Sequence, residues 1–170
     1  MQLLIVRHAD AGDAEEFAKT GQPDSMRPLS SKGRKQIRIA AKALLELVPD
    51  VSLIVTSPYV RAVETHDALC AVYGKKVDSA STDTLEPERS PDAFSKWLHP
   101  RDEDVIAAVG HEPHLSTLVT WFMTGADESR VQLKKGGACL LDFEDQPAKD
   151  RATLRWLLTP KQLAAMTTAP

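Results

Sequence analysis

Three short runs in this chain contain no polar side chain: Leu3-Leu4-Ile5-Val6, Leu53-Ile54-Val55 and Val105-Ile106-Ala107-Ala108-Val109. A strand with one wet face alternates apolar and polar residues. A strand that is apolar at every position is buried on both faces, which in practice means a parallel sheet covered by helices. The intervals have helical periodicity. Ile37, Ala41, Leu44, Leu45 and Val48 share one face, and Pro49-Asp50 ends it. Ser57-Pro58 reads as an N-cap followed by proline at the first helical position, opening a helix that buries Ala62, Leu69 and Val72. Ser90-Pro91 opens a shorter helix in the same way. Leu115, Leu118, Val119, Phe122 and Met123 form the clearest amphipathic face, with Gly125 as its cap.

Two further strands are expected at 138–143 and 153–158, around a polar turn at 145–150, and then a last short helix at 161–166 with a frayed tail. Strand and helix in alternation imply right-handed crossovers. The expected fold is therefore a three-layer α/β/α sandwich with a mostly parallel central sheet. A length of 170 residues suits one domain, 1–170. The polar stretch 10–29 is too long for a tight βα turn, and loops of that length are often functional.

Charge and motif content narrow the function. A net charge of −3 and a pI near 5.9 argue against nucleic-acid or membrane-surface partners, which favour basic surfaces. No apolar run approaches the roughly 20 residues of a membrane helix, and the first residues lack a signal-peptide pattern, so a cytoplasmic location is expected. Cys70 and Cys139 form no CxxC pair and read as reduced, mostly buried thiols. Neither a P-loop nor GxGxxG is present. His111-Glu112-Pro113-His114 lacks the spacing of the zinc-protease helix, so no metal site is expected.

The unusual residues fall at strand ends. Arg7-His8 closes the first apolar run, Arg61 lies in the first turn of the helix after the second, and Gly110-His111 closes the third. In an open α/β sheet the carboxyl ends of the strands form the crevice where ligands bind. A cation in a helix's first turn opposes the macrodipole, unless an anion occupies the spot and gains from both. Two forked guanidiniums suit phosphoryl oxygens. These residues predict a phosphate pocket. His66 and His99 read as ordinary solvated side chains.

Arg7-His8-Ala9, then Ser57-Pro58-Tyr59-Val60-Arg61-Ala62 with Thr65, then Gly110-His111-Glu112-Pro113 resemble the three signature blocks of the histidine phosphatase superfamily, whose fold is phosphoglycerate mutase-like. Within it the chain is most similar to the small SixA-type phosphohistidine phosphatases. That likeness rests on Asp24-Ser25-Met26-Arg27-Pro28-Leu29-Ser30 with Gly33, on Leu85-Glu86-Pro87, and on Leu133-Lys134-Lys135-Gly136-Gly137. Ala9 stands where the family usually has glycine.

The resemblance implies that His8 is a nucleophile that becomes transiently phosphorylated, while Arg7, Arg61 and His111 hold the equatorial oxygens. It places Asp24 and Arg27 in the pocket lining, and Ser57 adds a hydroxyl beyond its capping role. Glu112, Glu86 and Glu88 are three candidates for a general acid. No metal and no organic cofactor is implied. The function this implies is hydrolysis of phosphoryl groups from histidines of a phosphorelay or phosphotransfer protein in signal transduction, with phosphate as product. The alternatives are a small-molecule phosphomonoesterase with the same nucleophile and a non-catalytic phospho-ligand binding module.

Overall fold

The computed structural model describes residues 1–167. The expected frayed tail falls chiefly on residues 168–170, outside the described residues. In chain order the elements are β1 (Gln2–Arg7), α1 (Ala14–Ala18), α2 (Ser31–Leu47), β2 (Leu53–Thr56), α3 (Val60–Tyr73), β3 (Asp78–Ser81), α4 (Pro91–Leu98), β4 (Val105–Gly110), α5 (His114–Thr124), β5 (Ala138–Phe143), β6 (Ala152–Leu158) and α6 (Pro160–Met166). Short 3-10 turns occupy Asp24–Met26 and Asp83–Leu85.

The six strands form one sheet in the order β3-β2-β4-β1-β5-β6. β1 pairs parallel with β4, and β2 pairs parallel with both β3 and β4, while β5 is antiparallel to β1 and to β6. Along β1 the side chains alternate between two cores. Leu4 and Val6 pack with Ile37, Ala41 and Leu44 of α2 and with Ala62 and Leu69 of α3. Leu3 and Ile5 pack with Phe94 and Leu98 of α4 and with Leu115, Leu118 and Phe122 of α5. All four β1 side chains are fully buried. This accounts for the unbroken apolar runs, because every position faces a helix layer. The expected sandwich is the observed one, with a mixed sheet.

Ser90 caps α4 by accepting from the Ala93 amide, with Pro91 at the first position. Gly125, at φ 74°, ends α5 in the left-handed conformation that glycine adopts without strain.

Three expectations need correction, and one strand carries no signal in the sequence. Ser57 is not an N-cap: α3 begins at Val60 and its N-cap residue is Tyr59. The 10–29 stretch is not wholly irregular, since α1, capped by Asp13, and a 3-10 turn lie within it. β3, with the sequence Asp78-Ser79-Ala80-Ser81, has no apolar pattern because it is an edge strand with mostly exposed side chains. His66 is buried rather than solvated, its ring held by Ser79 Oγ at 2.8 Å and by Asp67 Oδ1 at 2.9 Å. His99 is exposed as expected. Both cysteines are free, Cys139 buried and Cys70 half-buried. Among the described residues no helix is long and apolar enough to cross a membrane.

Candidate active site

Strand register brings the two site histidines together. β1 and β4 are neighbours with Arg7 opposite Gly110, and the ladder runs one step further as the His8 amide donates to the Gly110 carbonyl at 3.0 Å. On the other side of β4, the Ser57 amide donates to the Val109 carbonyl at 3.0 Å. Residues 8, 57 and 111 thus leave three adjacent strands at the same level. The His8 and His111 rings stand 5.0 Å apart between centroids. Ser57 Oγ lies 2.9 Å from His111 Nε2. The Tyr59 ring packs 4.8 Å from His111, and the Arg61 guanidinium lies 5.0 Å from the Tyr59 ring centroid.

His8 is oriented by its own neighbour. Its Nδ1 lies 2.7 Å from the Ala9 carbonyl, which can only accept, so Nδ1 carries the proton. Burial, reinforced by Arg61, Arg7 and Lys135, lowers the His8 pKa to about 3, against the partial opposition of the Ala9 carbonyl. The ring is therefore neutral and Nε2 presents a lone pair. His111 is lowered to about 2 by burial and by the nearby His8, Arg61, His114 and Arg7. The Ala9 backbone is itself braced: its amide donates to Thr65 Oγ1 at 3.2 Å, and that hydroxyl donates to the Arg61 carbonyl at 2.8 Å.

The guanidiniums are tethered from behind. Arg7 Nη1 donates to the Leu133 carbonyl at 2.7 Å. Arg61 Nη1 donates to the Asp24 carbonyl at 2.7 Å, and Nη2 lies 3.0 Å from Asp24 Oδ2. Arg27 turns to Asp24 Oδ1 at 2.7 Å and to the Ala11 and Gly12 carbonyls. It clamps the loop that carries Asp24, and Asp24, its carboxyl lowered chiefly by the Arg27 hydrogen bond, links both arginines.

Several donors and acceptors in this group have no protein partner. Arg7 Nε, Arg61 Nε and His111 Nδ1 are sealed from solvent without one among the described residues. Orphaned buried polar groups cost roughly 1–3 kcal/mol each, a cost that the oxygens of a bound anion would offset by accepting from these three.

The three candidate acids differ in setting. Glu112 Oε1 accepts from Ser116 Oγ at 2.5 Å and from the Leu133 amide at 3.3 Å, and its charge acts on Arg7. Glu86 follows Leu85, whose carbonyl abuts Gly110, and pairs with Arg89 at 3.6 Å. Glu88 is exposed on the approach to α4.

Tyr59 and Lys135 join this cluster in addition to the residues expected there. Tyr59 sits inside a signature block, two residues before Arg61, and that spacing was the available signal. Lys135 arrives because β5 runs antiparallel to β1, which brings the start of β5 to the rim. There the Arg7 amide donates to the Gly137 carbonyl at 3.0 Å.

A profile of the histidine phosphatase superfamily (branch 1) matches residues 3–85. The chain is 30% identical over 140 residues to an uncharacterised protein of Picosynechococcus, covering 81% of this chain and 82% of that one. It is 25% identical over 170 residues to phosphohistidine phosphatase SixA of Escherichia coli K12, covering 96% of each. A solved structure of the protein histidine phosphatase SixA complexed with tungstate superposes with a TM-score of 0.81 at 22% identity, covering 96% of this chain and 99% of that one. Its phosphoglycerate mutase-like fold is the fold described above. With strands, register and signature blocks in agreement, the chain belongs to the histidine phosphatase superfamily.

Proposed function

We propose that this protein is a phosphohistidine phosphatase that uses His8 as its nucleophile. The observation that carries this reading is the ring of unpartnered buried nitrogens, Arg7 Nε, Arg61 Nε and His111 Nδ1, around an imidazole held neutral with its Nδ1 pinned. His8 Nε2 attacks phosphorus in line, forming an N–P bond as the P–N bond of the substrate breaks. The departing imidazole takes a proton, and water then cleaves the enzyme's phosphohistidine to release phosphate. The guanidiniums and His111 stabilise the equatorial oxygens, where charge gathers in the transition state. The clamp on Asp24 and the braced Ala9 backbone keep these groups fixed, as catalysis by positioning requires. The similarity to SixA proteins over nearly the whole chain, one of them holding the oxyanion tungstate, supports both the chemistry and the choice of phosphohistidine.

The test is a rapid quench in alkaline detergent, which preserves N–P bonds, after mixing with a peptide carrying labelled phosphohistidine. The wild type should show covalent label and release phosphate, and His8→Ala should show neither. Efficient turnover of small phosphoesters with no turnover of the peptide would replace this reading with a metabolite phosphomonoesterase. Tight binding without label would make the protein a phospho-ligand module.

A further inference from the structure

The face of α2 that starts beside the active site is strongly basic. Residues 32–42 hold five of the chain's 21 lysines and arginines, Lys32, Arg34, Lys35, Arg38 and Lys42, and no carboxylate. All five are exposed. Three of them fall near the helix's amino end, where the first turn has no acidic residue and cations oppose the macrodipole. Within the described residues Arg34 is paired with Glu64 at 2.9 Å, whereas Lys32, Lys35, Arg38 and Lys42 have no carboxylate within ion-pair distance. In a chain of net charge −3, this concentration is a local departure from the whole.

The face joins the active site directly. Ser30, the N-cap of α2, donates through Oγ to Asp10 Oδ1 at 2.7 Å, two residues beyond His8. The Asp10 amide in turn donates to Gln36 Oε1 at 3.3 Å. Gly136, next to Lys135, packs against the same Gln36 side chain. Lys32 and Lys135 both act electrostatically on Asp10, so the first turn of α2 and the loop before β5 bring a lysine each to one edge of the mouth, from which the basic face of α2 leads away.

We infer that this basic face of α2, continued by Lys135, docks an acidic surface of the protein that carries the phosphohistidine. The inference rests on the phosphohistidine reading above. Charge complementarity selects the occupant. The phosphoryl group enters between the buried arginines, and carboxylates flanking it on the substrate meet the exposed lysines. Such rim charges steer encounter and fix register more than they add to the chemical step.

The experiment uses two phosphohistidine peptides of equal length, one flanked by glutamates and one by lysines, with free phosphohistidine as the small substrate. The wild type should hydrolyse the glutamate-flanked peptide with a kcat/KM about 3- to 10-fold higher, an advantage that shrinks as salt rises. In the Lys35→Glu/Lys42→Glu double variant the preference should vanish or reverse while turnover of free phosphohistidine is unchanged. Lys35→Gln/Lys42→Gln should fall between. Equal rates on both peptides, or a parallel fall on free phosphohistidine, would overturn the docking inference while leaving the phosphatase reading intact. If no phosphohistidine substrate is cleaved, the phosphatase reading fails. Docking is then judged by fluorescence anisotropy of the unphosphorylated glutamate peptide, where charge-dependent binding keeps it and no binding ends it. Tighter binding to phosphatidylglycerol vesicles than to the peptide would overturn it in favour of a membrane surface.

Discussion

Ser57 Oγ and His111 Nε2 lie 2.9 Å apart, each fully or almost fully buried, at the ends of two neighbouring strands. Because α3 starts only at Val60, the Ser57 hydroxyl is not committed to capping the helix and can hold the imidazole. Ser57→Ala removes that partner and leaves a buried ring nitrogen unsatisfied, at roughly 1–3 kcal/mol. Turnover should fall about 10- to 100-fold, with a lower melting temperature; steady-state kinetics and a thermal melt check both.

Glu112 ties Ser116 and the Leu133 amide together, and the Leu133 carbonyl holds Arg7. A positioning role needs only an acceptor oxygen, which glutamine retains. Glu112→Gln should therefore keep kcat within about 3-fold of wild type, while Glu112→Ala loses roughly 10-fold or more as Arg7 is released. Equal loss in both variants would show instead that the ionisable carboxyl itself is required, as for a general acid.

Three histidines are buried in the neutral form. Burial lowers His8 to about 3, His111 to about 2 and His114 to about 4, the last offset only in part by the Ser90 backbone. In the unfolded chain each takes up a proton near pH 6.5. Below that pH the unfolded state binds more protons, so stability falls as pH falls, until the folded-state values are reached. Each histidine should add about 1.4 kcal/mol per pH unit to that slope once the pH is well below 6.5. Urea unfolding between pH 7.5 and 4.5 should show the fall, and His114→Leu should flatten it by about one proton. Above pH 7.5 the wild-type slope from these groups should be near zero.

Gly33 sits in the first turn of α2, where a Cβ would lie 2.0 Å from the Asp10 carbonyl oxygen. The helix can rest on the strand-end loop only without a side chain there. Gly33→Ala should cost about 1–3 kcal/mol as the backbones separate, and it should lower turnover by shifting the segment that follows His8. Ser31→Ala, exposed on the same turn, is the control and should change neither.

Much of the architecture was legible in the chain. The apolar runs of β1, β2 and β4, the cap at Ser90-Pro91 and the stop at Gly125 are local signals, and the structure keeps them. The positions of Arg7, His8 and His111 at strand ends followed from where those runs stop. β3 was not legible, because an edge strand of polar residues is defined by its hydrogen-bonded neighbour and not by its own side chains. His66 reads as solvated in the sequence for a related reason: a helix position shows its burial only once β3 is packed beside it.

By itself the sequence determined which segments are buried on two faces, where they end, and which charged and basic residues stand at those ends. These properties depend on side chains within a few residues of each other. Tertiary structure alone decided that His8 stands beside His111 with Ser57 behind it, that Asp24 reaches Arg61, and that an antiparallel β5 brings Lys135 and the Leu133 carbonyl to the same rim. Those relationships depend on strand order and register, which are set by contacts between residues far apart in the chain.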